Sequence, residues 1–176
     1  MFAVERLSLP GVLLIRPQVF HDDRGSSMVT YNAEEFAKLS ITADFKQDFI
    51  SRSVKNVIRG IHFKRAPHMQ DKLVRCVSGE IFDVVADYNP ASPTFGTYVS
   101  VSLRAEEPVM LYVPGRYAHG FCVVSDDASV EYKIAGKYSP EHASGIPWND
   151  HLLNIAWPVA EPIISEQDKS WEPLTT

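Results

Sequence analysis

Apolar and polar residues alternate over many short stretches of this chain, and residues typical of turns separate the stretches. A period of two predicts β-strands, whereas longer segments with apolar residues at helical spacing are nearly absent. Hairpin-length connections at residues 78–80 and 125–128 favour an all-β sandwich or barrel. The predicted strands cover residues 12–17, 27–31, 45–53, 56–63, 72–77, 81–87, 95–103, 109–113, 119–124 and 129–134.

Two short helices have capping signals at their N-termini. Asn32 is followed three residues later by Glu35, and Ser165 is followed at the same spacing by Asp168. No internal repeat or linker interrupts the chain. We therefore expect a single domain over residues 1–176, with a β core at about 12–135 and a C-terminal strap with short helices at 136–176.

Composition and charge narrow the classes of partner. The chain has 176 residues, of which 45% are hydrophobic, so it can bury a sizeable core. A formal net charge of -5 and the lack of long basic runs argue against nucleic acid as a partner. The N-terminus has neither a signal-peptide pattern nor a membrane span, because Glu5 and Arg6 interrupt its apolar residues. Cys76 and Cys122 lie in apolar runs, which predicts free buried thiols and a cytoplasmic protein.

Several polar residues share the face of their strand with apolar neighbours. Side chains in a strand point alternately to its two faces, so residues two apart share a face. This alternation places four polar groups on apolar faces of different strands: His62, Lys72, His119 and Tyr132. Arg59 has the opposite parity to His62. Both can face one pocket only if Gly60 permits a bulge or if a neighbouring chain completes the site.

Each of these residues also has a purely structural interpretation. An inward histidine or tyrosine is often a hydrogen-bonded core residue, and Asp168 can serve only as the acid of a capping box. Arg75 and Asp83 can likewise form a structural pair across their hairpin. The combination is more informative, because burying two histidines, a lysine and a tyrosine without a ligand is costly. The pattern therefore predicts a polar cavity inside the β core.

Metal binding and nucleophilic catalysis both lack their usual patterns. Histidine-lined β-barrels that hold a metal ion place two histidines two residues apart, but Gly60 and Lys64 occupy those positions around His62. His68 follows Pro67 in a polar loop and is expected to be solvated. No Gly-x-Ser-x-Gly motif occurs, and neither cysteine has an adjacent basic activator of the type usual for a nucleophile. We therefore expect no metal and no other cofactor, and proton transfer remains as the chemistry.

Long motifs of the chain resemble the dTDP-4-dehydrorhamnose 3,5-epimerase family, in one order and over nearly the whole length. They are "SRSVKNVIRGIHF", "DKLVRCVSGEIFDVVADY", "ASPTFGTYVSVSL", "VPGRYAHGFCVVSD", "EYKIAGKYSPEHASGIPWND", "IAWP" and "ISEQD". The resemblance implies a metal-free, cupin-type jelly roll with short peripheral helices, and a homodimer that exchanges N-terminal strands. It also implies an isomerase that inverts carbons beside the ketone of a nucleotide-linked 4-keto-6-deoxy sugar, in deoxysugar biosynthesis for cell-surface polysaccharides such as O-antigen.

The resemblance also implies a role for individual residues. His62 becomes the general base with Asp168 as its partner, Tyr132 becomes the acid on the opposite face, and Lys72 steadies the enolate. The residues expected near the substrate or the nucleotide are Arg24, Gln47, Arg59, His119 and Tyr138. The chemistry calls for such groups, because removing a proton beside a ketone needs a base and a donor for the oxyanion, and inversion needs two proton carriers.

Three segments depart from the family pattern near the expected nucleotide. Ser26, Ser27 and Val29 replace residues of an aromatic and acidic motif, Phe49 replaces an amide, and Ala143 or Ser144 replaces an acid. Hydrogen-bonded readout of a base is selective, so these changes are expected to alter which nucleotide fits. These departures lead to the hypothesis that CDP replaces dTDP as the carrier, so the sequence leaves dTDP or CDP, and inversion at C3, C5 or both. Two alternative functions remain, a 4-keto sugar ketoisomerase and a non-catalytic module that binds sugar nucleotides.

Overall fold

The fold is built from two antiparallel β-sheets and a separate hairpin, joined by turns and loops. The computed structural model describes residues 1–137 and 139–175, and within them the large sheets have six and five strands. The strands are β1 Phe2–Arg6, β2 Leu13–Pro17, β3 Val19–Asp22, β4 Gly25–Met28, β5 Phe45–Val54, β6 Ile58–Lys64, β7 Lys72–Ser78, β8 Glu80–Ala86, β9 Tyr98–Arg104, β10 Met110–Val113, β11 Ala118–Val123, β12 Asp127–Ala135 and β13 Ala143–Gly145.

The order of the strands brings distant parts of the sequence together. The six-stranded sheet runs β1-β2-β10-β7-β12-β5, and the five-stranded sheet runs β13-β6-β11-β8-β9. β3 and β4 pair only with each other within the described residues. Apolar side chains of both large sheets form the core, among them Val74, Ile81, Phe121 and Val130. Cys76 and Cys122 are free and buried, as predicted.

Two short helices lie outside the sheets, α1 at Ala33–Lys38 and α2 at Glu166–Lys169. Both predicted caps are confirmed. The side chain of Asn32 accepts a hydrogen bond from the Glu35 N–H at 3.0 Å, and the Ser165 hydroxyl accepts one from the Asp168 N–H at 3.1 Å. Among the described residues, no helix is long and apolar enough to cross a membrane.

Within the C-terminal strap, the segment around Ile163 lies beside the start of β6. The Ile163 carbonyl accepts from Ile58 N–H at 3.1 Å, and the Ile163 N–H donates to the Asn56 carbonyl at 2.9 Å. Further along, the Leu174 N–H donates to the carboxylate of the buried Asp150 at 2.8 Å. These bonds fix α2 against the five-stranded sheet. The predicted single domain, with its core at 12–135 and its strap at 136–176, stays a prediction.

The strand predictions fail mainly in the N-terminal third. The predicted strand 27–31 is wrong beyond residue 28, because β4 follows the turn at residues 23–24 and ends at Met28. β1 was not predicted, since four of its five residues are exposed and it carries no inward apolar face. β13 was also missed, because three residues are too few to show a period of two.

Candidate active site

A cleft of about 600 Å³ opens between the strands and the C-terminal strap. All four polar residues that parity placed on inward faces line it. The cleft therefore confirms the predicted polar cavity, although the strap contributes a wall that parity did not anticipate. Its walls are formed by Phe49, Val57, Ile58, Arg59, His62, Lys72, His119, Tyr132, Ile134, Ile163, Ile164, Ser165, Gln167 and Asp168.

A bulge in β6 lets Arg59 and His62 face this cleft together. In the pairing with β11, His62 lies opposite His119 but Arg59 lies opposite Phe121, so β6 carries one extra residue. Gly60 sits at the bulge with φ +134°, a conformation that favours glycine. The bulge predicted as one of two conditions is therefore present, and both side chains reach the site within one chain.

His62 and Asp168 form a hydrogen-bonded pair in the cleft. The His62 Nε2 atom lies 2.6 Å from Asp168 Oδ1. The Gly60 N–H donates to Asp168 Oδ2 at 3.2 Å, and the Trp171 indole N–H donates to Oδ1 at 3.1 Å. Asp168 is 4% exposed, whereas the imidazole side chain is 45% exposed. The buried carboxylate therefore holds the half-exposed imidazole through Nε2, which leaves Nδ1 outside this contact.

The same contacts decide the charge of Asp168. Burial disfavours the carboxylate, but hydrogen bonds from His62, Gly60 and Trp171 and the charge of His62 outweigh it, so the pKa of Asp168 lies below its usual value. Asp168 is thus an ionised partner for His62. Its carboxylate binds His62 and Trp171 rather than the backbone of Ser165, so Asp168 does not serve only as the acid of a capping box.

Lys72 and Tyr132 face the cleft from neighbouring strands of the other sheet. Burial lowers the pKa of Lys72 to about 8, although the charges of Asp71 and Asp83 partly oppose this. Burial raises the pKa of Tyr132 well above its usual value, and the charge of Asp83 raises it further. At neutral pH the site therefore holds a mostly protonated amine and a neutral phenol.

A second buried pair lies behind the first. His119 Nε2 is 2.8 Å from Asp83 Oδ1, and both side chains are almost fully buried. Burial raises the pKa of Asp83, and its Oδ2 atom has no hydrogen-bond partner among the described residues. The predicted structural pair of Arg75 with Asp83 is wrong, because residues 78–80 do not connect a hairpin: β7 belongs to the six-stranded sheet and β8 to the five-stranded sheet. Arg75 instead binds Glu131 at 2.5 Å. The place of Asp83 beside the site was not predicted, although its parity with Ile81 puts it on an apolar face.

Comparisons with known proteins identify the family. The family model described as dTDP-4-dehydrorhamnose 3,5-epimerase matches residues 6–176. The chain belongs to this family. A protein of Shigella flexneri named dTDP-4-dehydrorhamnose 3,5-epimerase is 45% identical over 166 residues, which are 94% of this chain and 92% of that protein.

Solved structures of epimerases agree with this assignment. The Bacillus anthracis dTDP-4-dehydrorhamnose 3,5-epimerase, with TDP and PPi bound, has a TM-score of 0.95 at 38% identity and covers 99% of this chain and 100% of its own. The Legionella pneumophila enzyme, in complex with dTDP-4-keto-L-rhamnose, has a TM-score of 0.94 at 35% identity and covers 99% and 93%. The predicted family, the cupin-type jelly roll and the assignment to the isomerases are confirmed.

Of the remaining predicted binding residues of this epimerase-family chain, one lines the cleft and two others do not. Arg59 lines the cleft and donates from Nε to the Ser53 hydroxyl at 2.8 Å. Gln47 and Arg24 are not among the described residues that line it. Gln47 is half-buried on β5, on the same face as Phe49, whereas Arg24 is exposed on the β3–β4 hairpin and pairs with Asp22. Tyr138 lies outside the described residues.

Phe49 lines the cleft next to Tyr132. It lies directly opposite Tyr132 in the pairing of β5 with β12, and the two ring centroids are 5.8 Å apart. The departure seen in the sequence therefore falls beside the proposed acid.

No group of three or more His, Cys, Asp or Glu that could hold a metal ion occurs within residues 1–137 and 139–175.

Proposed function

We propose that this chain is a cofactor-independent 3,5-epimerase that acts on a dTDP-linked 4-keto-6-deoxy sugar. The observation that carries the proposal is the meeting, in one cleft, of the His62–Asp168 pair with Tyr132 on a different strand. Inversion beside a ketone needs a base and an acid that reach one carbon from opposite faces. The names and bound ligands of the relatives described above support the reaction and the carrier.

In the proposed reaction, the free ring nitrogen of His62 takes the proton from the carbon beside the C4 ketone. The C–H electron pair forms the enolate, whose negative charge moves to the C4 oxygen. Asp168 stabilises the imidazolium that results, because it is ionised and 2.6 Å from Nε2. The Tyr132 phenol then donates its proton to the same carbon from the other face, and exchange with solvent resets both groups.

The environments of Lys72 and Tyr132 suit these roles. With its pKa at about 8, Lys72 carries its charge at neutral pH and can stabilise the enolate oxygen. The raised pKa of Tyr132 keeps the phenol protonated, which is the form that an acid requires. Fixed donors of this kind contribute on the order of 3 kcal/mol to transition-state stabilisation in a site that excludes water.

The reaction is tested by deuterium exchange in D₂O, followed by NMR, with dTDP-4-keto-6-deoxyglucose and its CDP counterpart as substrates. We expect exchange at C3 and C5 with the dTDP substrate. Exchange only with the CDP substrate would overturn the carrier, a shifted carbonyl would indicate a ketoisomerase, and no exchange would indicate a binding module. His62→Ala should abolish exchange while nucleotide affinity, measured by calorimetry, stays within a few-fold. His151→Ala, at an exposed histidine outside the cleft, is the matched control.

We also propose that the active form is a homodimer with exchanged N-terminal strands. The β3–β4 hairpin exposes Phe20 and Met28, at 54% and 42%, and pairs with neither large sheet in the described residues. β5 is an edge strand whose outer face exposes Ile50 and Val54, at 62% and 58%. Exposed edges and apolar patches of this kind are typical of interfaces. Exchange of the hairpin would carry Arg24 to the cleft of the partner.

Mixed dimers test this arrangement. Arg24→Ala and His62→Ala should each lack activity alone, but a dimer with one protomer of each kind has one intact site if Arg24 acts across the interface. We expect co-expression to restore up to about half of the activity per mixed dimer. If the two residues acted within one chain, mixing the variants would restore none, and light scattering would report the oligomeric state independently.

A further inference from the structure

The indole of Trp171 shares one carboxylate oxygen with His62. Its N–H donates to Asp168 Oδ1 at 3.1 Å, and the same atom lies 2.6 Å from His62 Nε2. The other oxygen, Oδ2, accepts from the backbone of Gly60. Trp171 is one helical turn beyond Asp168 at the end of α2, so the strap delivers both side chains together. Three donors therefore surround a carboxylate that has little access to water.

The fold keeps a space for this indole beside His62. Gly145 on β13 lies directly opposite His62 on β6. A Cβ added to Gly145 would lie 2.4 Å from Trp171 Nε1 and 2.6 Å from its Cε2, so any other residue would displace the ring. The indole and imidazole are arranged edge to face, with centroids 6.5 Å apart and planes at 74°. The contact is therefore built by two elements, the strap and β13.

We propose that Trp171 is a positioning residue that acts through Asp168 and sets the proton affinity of the His62–Asp168 pair. This inference rests on the proposed function, in which His62 is the base. A hydrogen-bond donor to an ionised carboxylate stabilises the ionised form. It also reduces the negative charge that the carboxylate presents to its other partner, here His62. The indole N–H thereby lowers the proton affinity of the coupled pair and holds Oδ1 in the plane that His62 needs.

Removing the N–H should consequently raise the apparent pKa of the pair. One hydrogen bond to a partly screened carboxylate corresponds to an upward shift of about 0.5–1 pH unit. Substitution at residue 171 leaves the other charged or titratable groups that line the cleft in place. These are Arg59 on β6, Lys72 on β7, His119 on β11 and Tyr132 on β12, while Glu166 and Lys169 of α2 pair with each other.

Two variants and one matched control test the inference. Trp171→Phe removes the N–H and keeps an aromatic ring. Gly145→Ala leaves Trp171 in the sequence but pushes it away from Asp168. Trp157→Phe is the control, because its indole N–H donates at 2.7 Å to the Trp148 carbonyl and contacts no residue of the pair. All three lose one comparable hydrogen bond or contact, so a general loss of stability affects them alike.

The first measurement is the NMR titration of the His62 ring in the intact protein without substrate. We expect both Trp171→Phe and Gly145→Ala to raise the midpoint by about 0.5–1 pH unit, and Trp157→Phe to leave it unchanged. The acidic limb of kcat/KM for deuterium exchange should move in the same direction. A Trp171→Phe titration identical to that of Trp157→Phe would overturn the inference, even if Gly145→Ala failed to fold. Absence of exchange in the unaltered protein would overturn the proposed function instead, and the titration would still be readable.

Discussion

The charge of Asp168 is the feature whose removal tests the proposed mechanism most directly. Asp168→Asn keeps the shape of the side chain and removes only its negative charge. In the structure the carboxylate receives His62 and Trp171 on one oxygen and the Gly60 N–H on the other. An amide turned either way directs its NH₂ group at one of these donors. The variant therefore loses an ionic partner for the imidazolium and gains a conflict between donors.

The geometry sets the expected magnitude. Two unit charges about 4 Å apart interact by about 4 kcal/mol at an effective dielectric constant of about 20. The His62 side chain is 45% exposed, so solvent screens part of this. Halving it leaves about 2 kcal/mol, which corresponds to a loss of about 30-fold in kcat. The misdirected amide should also lower the free energy of unfolding by about 1–3 kcal/mol.

The assay is the rate of deuterium exchange at saturating substrate, together with urea unfolding. Asp126→Asn is the matched control, because the Asp126 side chain is 99% exposed. We expect the control to keep the kcat and stability of the unaltered protein. A kcat for Asp168→Asn within twofold of the unaltered protein would refute the reasoning, because the imidazolium would then need no anionic partner.

Three further predictions use the pKa shifts and the bulge. Because folding lowers the pKa of Asp168, its contribution to stability is present above the unfolded-state pKa of about 4 and is lost as the pH falls through the folded value. The difference in unfolding free energy between the unaltered protein and Asp168→Asn should therefore be largest near neutral pH and shrink in acid. A difference that does not depend on pH would contradict this. The activity should decline as the pH rises through about 8, where Lys72 loses its charge. Asp83→Asn should move this decline to lower pH, because the negative charge of Asp83 raises the pKa of Lys72. An alkaline limb that does not move would remove Lys72 from its role. Gly60→Ala should lower the free energy of unfolding in urea by about 2–4 kcal/mol, because the added Cβ would lie 2.6 Å from the backbone of β11 and the residue would keep a positive φ. Gly25→Ala also has a positive φ but open space around it, and should lower this free energy by only about 1 kcal/mol. Equal losses would show that the close approach is unimportant.

Local physics was enough to predict much of the site. The faces of His62, Lys72, His119 and Tyr132 follow from the alternation of side chains along each strand, which depends only on neighbouring residues. The starts of α1 and α2 follow equally from their caps, because a cap is a contact across three residues. These predictions needed no knowledge of which strands pair.

The partners of the inward groups were decided by contacts between residues far apart in the chain. Asp168 satisfied a local capping pattern, yet its carboxylate binds His62, 106 residues away. Arg75 binds Glu131 and Asp83 binds His119 because the order of strands in the two sheets, and not proximity along the chain, brings those side chains together. Trp171 gave no periodic signal, since its place depends on the empty volume left by Gly145.

The sequence by itself thus determined which polar side chains face inward and, through its extended motifs, the family to which the chain belongs. The tertiary structure alone decided that the strap closes the cleft, that a bulge at Gly60 turns Arg59 toward His62, and that the carboxylate of Asp168 is shared with Trp171. The physical reason is the range of the interactions. Side-chain direction is set over two or three residues, whereas hydrogen-bond partners and cavity walls are set by the packing of segments that meet only when the chain has folded.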